Sequence, residues 1–143
     1  MSSDYICEFD FLIDVLFNKL ETDINNNKLI KIVADYYNKY KNTIDIHSDN
    51  ELIFRNACRY GNLELCKWIL TLDTLKSFNI YSLKSEIFYN ACRSGNLKLC
   101  QWLYSIIVSS KSYSVPNYIF NEAFLNACKS GNLELCQWLY NTI

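Results

Sequence analysis

The sequence predicts an all-α repeat solenoid, built of stacked helix-turn-helix units joined by long linkers. Three observations carry this expectation. A thirteen-residue stretch, Asn56-Ala57-Cys58-Arg59-Tyr60-Gly61-Asn62-Leu63-Glu64-Leu65-Cys66-Lys67-Trp68, is written again over residues 90–102 and 126–138. All three glycines and all three tryptophans of the 143-residue chain fall at matching places in the copies. The glycines at 61, 95 and 131 are 34 and then 36 residues apart, and self-similarity at that period marks a repeat array.

The chain opens with apolar residues at Phe9, Leu12, Ile13, Leu16, Phe17 and Leu20. This i, i+3, i+4, i+7 pattern predicts an amphipathic helix over residues 8–20. The run Asp23-Ile24-Asn25-Asn26-Asn27 breaks it, because Asn tolerates the left-handed conformation found at helix ends. A second helix is expected over 28–40. Residues 1–40 are therefore read as a degenerate N-terminal capping repeat, divergent because a terminal unit has one face without a neighbour. Residues 41–143 are read as three repeats, about 41–75, 76–110 and 111–143, in one continuous stack.

Within each copy a first helix is expected at about 50–59, 85–93 and 120–129. Phe54, Phe88 and Phe124 each precede an alanine by three residues, which puts a large and a small side chain on one face. Gly61, Gly95 and Gly131 end these helices, since only glycine reaches positive φ without a Cβ clash. Asn62, Asn96 and Asn132 then stand where an N-cap must accept backbone amides of the second helix. The linkers carry one apolar anchor each, Ile46, Ile80 and Val115, expected to fold back on the helices. Their tips, Ser48-Asp49-Asn50, Leu83-Lys84-Ser85 and Asn117-Tyr118-Ile119-Phe120, are expected to be exposed.

This pattern resembles the ankyrin repeat. Its A-x-x-x-G-x-L-x-x-x-x-x-L core is met by Ala57, Gly61, Leu63 and Ile69, by Ala91, Gly95, Leu97 and Leu103, and by Ala127, Gly131, Leu133 and Leu139. The family's T-P-L-H-x-A signature is replaced by Leu52-Ile53-Phe54-Arg55-Asn56-Ala57, so only its alanine stands unchanged. The dialect F-x-x-A-C-x-x-G-x-L-x-x-x-x-W-L resembles ankyrin proteins of giant DNA viruses and some protists. A tetratricopeptide array has a similar period, but it would place Trp and Gly inside a long first helix. Here Gly lies between the helices and Trp follows it.

Composition bounds the function. Half of the residues are hydrophobic and a fifth charged, the balance of a folded chain and not a disordered one. A net charge of −1 with dispersed signs offers no basic stripe for nucleic acid. No apolar run reaches the ~20 residues that a membrane span needs. The N-terminus Met1-Ser2-Ser3-Asp4 has no basic region of a secretory signal. Six of the seven cysteines recur as pairs eight apart, Cys58/Cys66, Cys92/Cys100 and Cys128/Cys136. That is not a zinc-ribbon spacing, and reduced thiols packed between helices in an intracellular, cytoplasmic setting (the host cell's if the protein is viral) are expected.

No cofactor, metal or catalytic constellation is predicted, and the protein is expected not to be an enzyme. The single histidine, His47, beside Asp45 and Asp49, is read as a solvated loop residue. The resemblance implies a non-catalytic interaction module that binds a protein partner through its concave face and linker tips. Positions where the copies disagree are free of the scaffold's demands, and exposed arginines and aromatics carry most interface energy. The partner-binding residues expected are Arg55, Arg59, Tyr60, Tyr89, Arg93, Tyr118 and Phe120. The alternative is a self-associating structural or assembly protein, with an uncapped C-terminal repeat leaving Leu135, Trp138, Leu139 and Ile143 as an apolar end face.

Overall fold

The apolar periodicity is realised as helices throughout. The computed structural model describes residues 2–17, 26–72, 80–109 and 115–142, and among these no strand occurs. The helices are α1 (Ser2–Phe17), α2 (Asn26–Tyr40), α3 (Ser48–Arg59), α4 (Leu63–Thr71), α5 (Ile80–Ser94), α6 (Leu97–Val108), α7 (Asn117–Ser130) and α8 (Leu133–Thr142). The expected turn at 23–25, the linker residues Phe78-Asn79 and Tyr113-Ser114, and the side chains of Cys7, Phe17 and Leu20 lie outside the described residues. So does the side chain of the anchor Ile80. Ile46 is buried as expected, and Val115 is half-buried.

Two of the three expected linker tips are not loops. Leu83-Lys84-Ser85 lies inside α5, and Asn117 to Phe120 form the first turn of α7. Nothing between Ile80 and Ser94 interrupts a helix. Pro116, at φ −61° and ψ 145°, is the N-cap of α7, and its locked ring sets up the helix that follows. Only the first tip is irregular. Asp49, Asn50 and Glu51 all have positive φ, from 51° to 60°, a region that costs L-residues about 1–2 kcal/mol each.

The chain divides into two compact units. The first contains α1, α2 and most of α3 and α4. Phe9 is fully buried there, stacked on Tyr36 at 6.0 Å and tilted against Tyr37 at 5.9 Å. Tyr37 in turn receives the edge of Trp68 at 6.1 Å. The Asn56 side chain donates to Asp10 Oδ1 at 2.7 Å, tying α3 to α1.

The second unit holds the end of α3 with its turn, and α5 to α8. α5 packs on α6 and on α7, and α7 on α8. Ile87, Phe88, Ala91, Leu99, Leu103, Ala127, Leu135 and Leu139 are among its buried side chains. The alanines let helices approach where Phe88 fills the adjoining space, the large–small pairing read from the sequence. Tyr104 is the hub of its aromatic contacts, meeting Phe88 at 6.3 Å, Phe120 at 6.0 Å and the edge of Trp138 at 5.7 Å.

The thrice-written turn does more than reverse the chain. Asn96 Oδ1 accepts the Leu99 amide at 3.0 Å, an N-cap bond, while its Nδ2 donates to the Gly61 carbonyl of the preceding turn at 2.6 Å. Asn132 repeats both bonds, to Leu135 at 3.0 Å and to the Gly95 carbonyl at 2.7 Å. One side chain thus starts its own helix and ties its turn to the one before. Asn96→Ala is expected to cost about 2 kcal/mol, a cap of ~1 kcal/mol plus a hydrogen bond of about 0.5–1.5 kcal/mol. Asn96→Asp keeps the acceptor and loses the donor, so urea denaturation should place it between wild type and Asn96→Ala if both bonds count.

Candidate partner-binding surface

The expected residues lie on or next to the first helices α3, α5 and α7. Arg59, at the end of α3, is exposed and lies over the half-buried Tyr60 ring at 5.2 Å, with Nη2 donating to Tyr60 Oη at 3.1 Å. Cation–π contact and hydrogen bond hold the two as one amphipathic patch. On α5, Arg93 is exposed and Tyr89 half-buried, and on α7 Tyr118 is 62% exposed. Arg59, Tyr60, Tyr89, Arg93 and Tyr118 all belong to the second unit.

Two of the expected residues have other work. Phe120 is only 7% exposed and packs on Tyr104, so it is a core residue and not a partner contact. It follows Pro116 by four residues and so falls on the inward face of the first turn of α7. Arg55 is half-buried, and its guanidinium donates to the carbonyls of Asn50 at 2.9 Å and Asp49 at 2.8 Å. It closes the left-handed turn at 49–51, whose strain needs such a clamp to persist.

Position 60, 94 and 130 in the three copies is also not a freely varying surface site. Ser94 Oγ donates to the Ala91 carbonyl at 2.6 Å, and Ser130 does the same to Ala127. A Cβ on Gly61 would meet Ser94 Oγ at 2.7 Å, and one on Gly95 would meet Ser130 at 3.2 Å. These serines are seated against the preceding glycine. Tyr60, in the first copy, replaces that serine with a much larger ring.

The end of the second unit exposes an apolar surface, though from other residues than expected. Leu135 and Leu139 are fully buried, Trp138 is half-buried, and Ile143 lies outside the described residues. Leu125 (52% exposed), Leu133 (69%) and Tyr140 (76%) face outward instead. With Phe124 and Cys136 they line two adjoining open depressions. The helical register decides this: in α8 the i, i+4 pair 135/139 points to α7, which turns 133 and 140 away from it.

A family model described as ankyrin repeats (many copies) matches residues 88–140. Over that stretch the helix-turn-helix pairs are of the ankyrin type. No curated protein and no solved structure matches the chain. Ankyrin repeats are in general protein–protein interaction modules and are typically not catalytic.

The cysteines of the second and third copies and His47 are held in structural contacts. Cys92 and Cys100 lie 3.8 Å apart and fully buried. The hydrogen bond with Cys100, then burial, then the charge of a neighbouring thiolate push the Cys92 thiol far up, so it stays neutral and a poor nucleophile. Cys128 and Cys136 are also 3.8 Å apart, and desolvation followed by the bond with Cys128 raises Cys136. His47 is not the solvated loop residue expected: Nδ1 sits 3.0 Å from both carboxylate oxygens of Glu51, which is only 3% exposed. A buried carboxylate needs such a partner. Among the described residues no three His, Cys, Asp or Glu side chains are arranged to hold a metal, and no helix is long and apolar enough to cross a membrane.

Proposed function

We propose that this protein is a non-catalytic adaptor, binding a protein partner through the first-helix surface that carries Arg59, Tyr60, Tyr89, Arg93 and Tyr118. The observation that supports it is the exposure of Arg59, Arg93 and Tyr118 on α3, α5 and α7. Aromatic and arginine side chains are the types that dominate interface energetics. In ankyrin-type folds the first helices line the concave side. Residues 1–40 serve in this reading as the cap of a stack whose repeats span about 41–75, 76–110 and 111–143. The buried neutral thiols fit a reducing, intracellular compartment, and the F-x-x-A-C-x-x-G-x-L dialect fits a viral source acting in a host cell.

The test is affinity capture from cell extract with the full chain, followed by titration of the captured protein. Tyr89→Ala/Arg93→Ala should weaken the partner at least tenfold, the loss of about 1.4 kcal/mol or more. An unchanged partner list and affinity would remove this surface from consideration. Self-association through the α7/α8 end competes for other side chains of the same unit, and a concentration-independent monomer mass in solution would exclude it.

A further inference from the structure

One exposed position keeps its charge through all three copies. Arg59, Arg93 and Lys129 stand two residues before the glycines at 61, 95 and 131, in the last turns of α3, α5 and α7. All three side chains are exposed. The other charged positions of the thrice-written stretch, equally exposed, do not keep theirs. One reads Glu64, Lys98, Glu134 and the other Lys67, Gln101, Gln137.

The fold does not account for this constancy. A cation in the last turn of a helix offsets the helix dipole, but α4, α6 and α8 carry none there. Among the described residues, the side chains of Arg93 and Lys129 have no hydrogen-bond or ion-pair partner. Arg59 lies over the Tyr60 ring.

Stacking of the turns sets the three cations in a row along the second unit. Asn96 Nδ2 donates to the Gly61 carbonyl at 2.6 Å and Asn132 Nδ2 to the Gly95 carbonyl at 2.7 Å, the same step taken twice. α5 packs on α7, and packed helices lie about 8–10 Å apart. The positive charges therefore recur at roughly that interval, once per repeat.

We propose that this row binds an acidic peptide segment in extended conformation, a partner chemistry that rests on the reading of the first-helix surface as a protein-binding face. An extended chain rises about 3.3 Å per residue, so carboxylates two or three residues apart are about 7–10 Å apart and meet successive cations. Tyr60, beside Arg59, and Tyr89, one turn before Arg93, offer rings to apolar side chains between the acids. A nucleic-acid strand fits less well. The exposed Glu86 and Glu122 stand seven residues before Arg93 and Lys129, on the same helix faces. A peptide can set neutral residues against them, whereas a nucleic acid carries charge at every phosphate.

The experiment titrates a fluorescein-labelled decapeptide of alternating Glu and Tyr with the full chain, followed by anisotropy at low ionic strength, where exposed charges are screened least. Arg59→Gln/Arg93→Gln/Lys129→Gln should weaken binding at least fivefold, the loss of three exposed ion pairs. Lys28→Gln/Lys31→Gln/Lys41→Gln removes the same charge from exposed positions of the first unit and should leave the affinity within about twofold, since those charges take no part in the row. Equal losses in the two variants, or no binding of the peptide by wild type, would overturn the proposal. So would tighter, row-dependent binding of a thymidine oligonucleotide of equal charge, because nucleic acid would then be the occupant. This proposal and the surface it rests on fail separately. If Tyr89→Ala/Arg93→Ala weakens the captured partner while the peptide goes unbound, the surface stands and its acidic occupant falls.

Discussion

Truncating Phe88 to alanine is expected to be the most damaging single change considered, costing about 3–5 kcal/mol of folding free energy. Phe88 is 1% exposed and is wedged against Tyr104 between α5 and its neighbours. Removing its ring leaves a cavity whose lining is fixed by two other helices, and the helix spacing set by Ala91 leaves little room for collapse. A chain of this size has about 5–15 kcal/mol of stability in all, so much of the margin disappears. Phe124 holds the equivalent place on α7, where one side is open to solvent. Phe124→Ala should therefore cost only about 1–2 kcal/mol, the transfer of part of a side chain. Urea denaturation of the two variants checks the contrast. Equal losses would mean that the exposed end is not as open as its burial pattern says.

Gly61→Ala is expected to cost about 3 kcal/mol, although it adds a single methyl group. Part of this is conformational: φ is +69° at Gly61, and an L-residue held there loses about 1–2 kcal/mol. The rest is contact. The new Cβ would stand 2.7 Å from Ser94 Oγ and 2.9 Å from Ser94 Cβ. Relief requires moving a serine that is itself bonded to Ala91, or lengthening the bond from Asn96 to the Gly61 carbonyl. Gly131→Ala is the control, with φ +76° and nothing within 4 Å of the added atom. It should show the conformational cost alone, about 1–2 kcal/mol. If the two variants are equally destabilised, the glycines are needed only for the turn and not for the approach of the next repeat.

These predictions rest on features that differ in how plainly the sequence shows them. The helix pairs, their glycine turns and the capping asparagines follow from local rules, because φ preference and apolar period act over a few residues. The second bond of each asparagine was not legible in that way. Asn96 and Gly61 are 35 residues apart, and only the stacking of one turn on another brings amide to carbonyl. A signal was present nonetheless. Ser-Gly-Asn recurs entire in the second and third copies, and a cap alone does not require the serine.

The surface was harder to read than the scaffold. Disagreement between copies points to Tyr118, which is exposed, and to Arg55 and Phe120, which serve the fold; Arg59 and Arg93 are exposed too, at a position that is basic in all three copies. Arg55 differs from Tyr89 and Leu125 because only the first copy has a left-handed turn at 49–51 to clamp. Phe120 falls both in an expected exposed tip and at the expected start of a helix at 120–129; with Pro116 as N-cap the helix begins at Asn117, and Phe120 lies in its first turn. The end face was mislocated for a related reason. Hydrophobicity alone cannot tell Leu135 from Leu133; the pairing of α7 with α8 decides which of them turns inward.

The proposed reading is that the buried side chains shared by the three copies hold the fold, while exposed arginine and aromatic side chains of the first helices bind the partner. One paired measurement on Tyr89→Ala/Arg93→Ala tests it most directly: melting temperature and partner affinity on the same preparation. The account predicts a melting temperature within about 4 °C of wild type, the shift of roughly 1 kcal/mol in a chain of this length, with binding weakened at least tenfold. A large fall in melting temperature with partner affinity intact would contradict it.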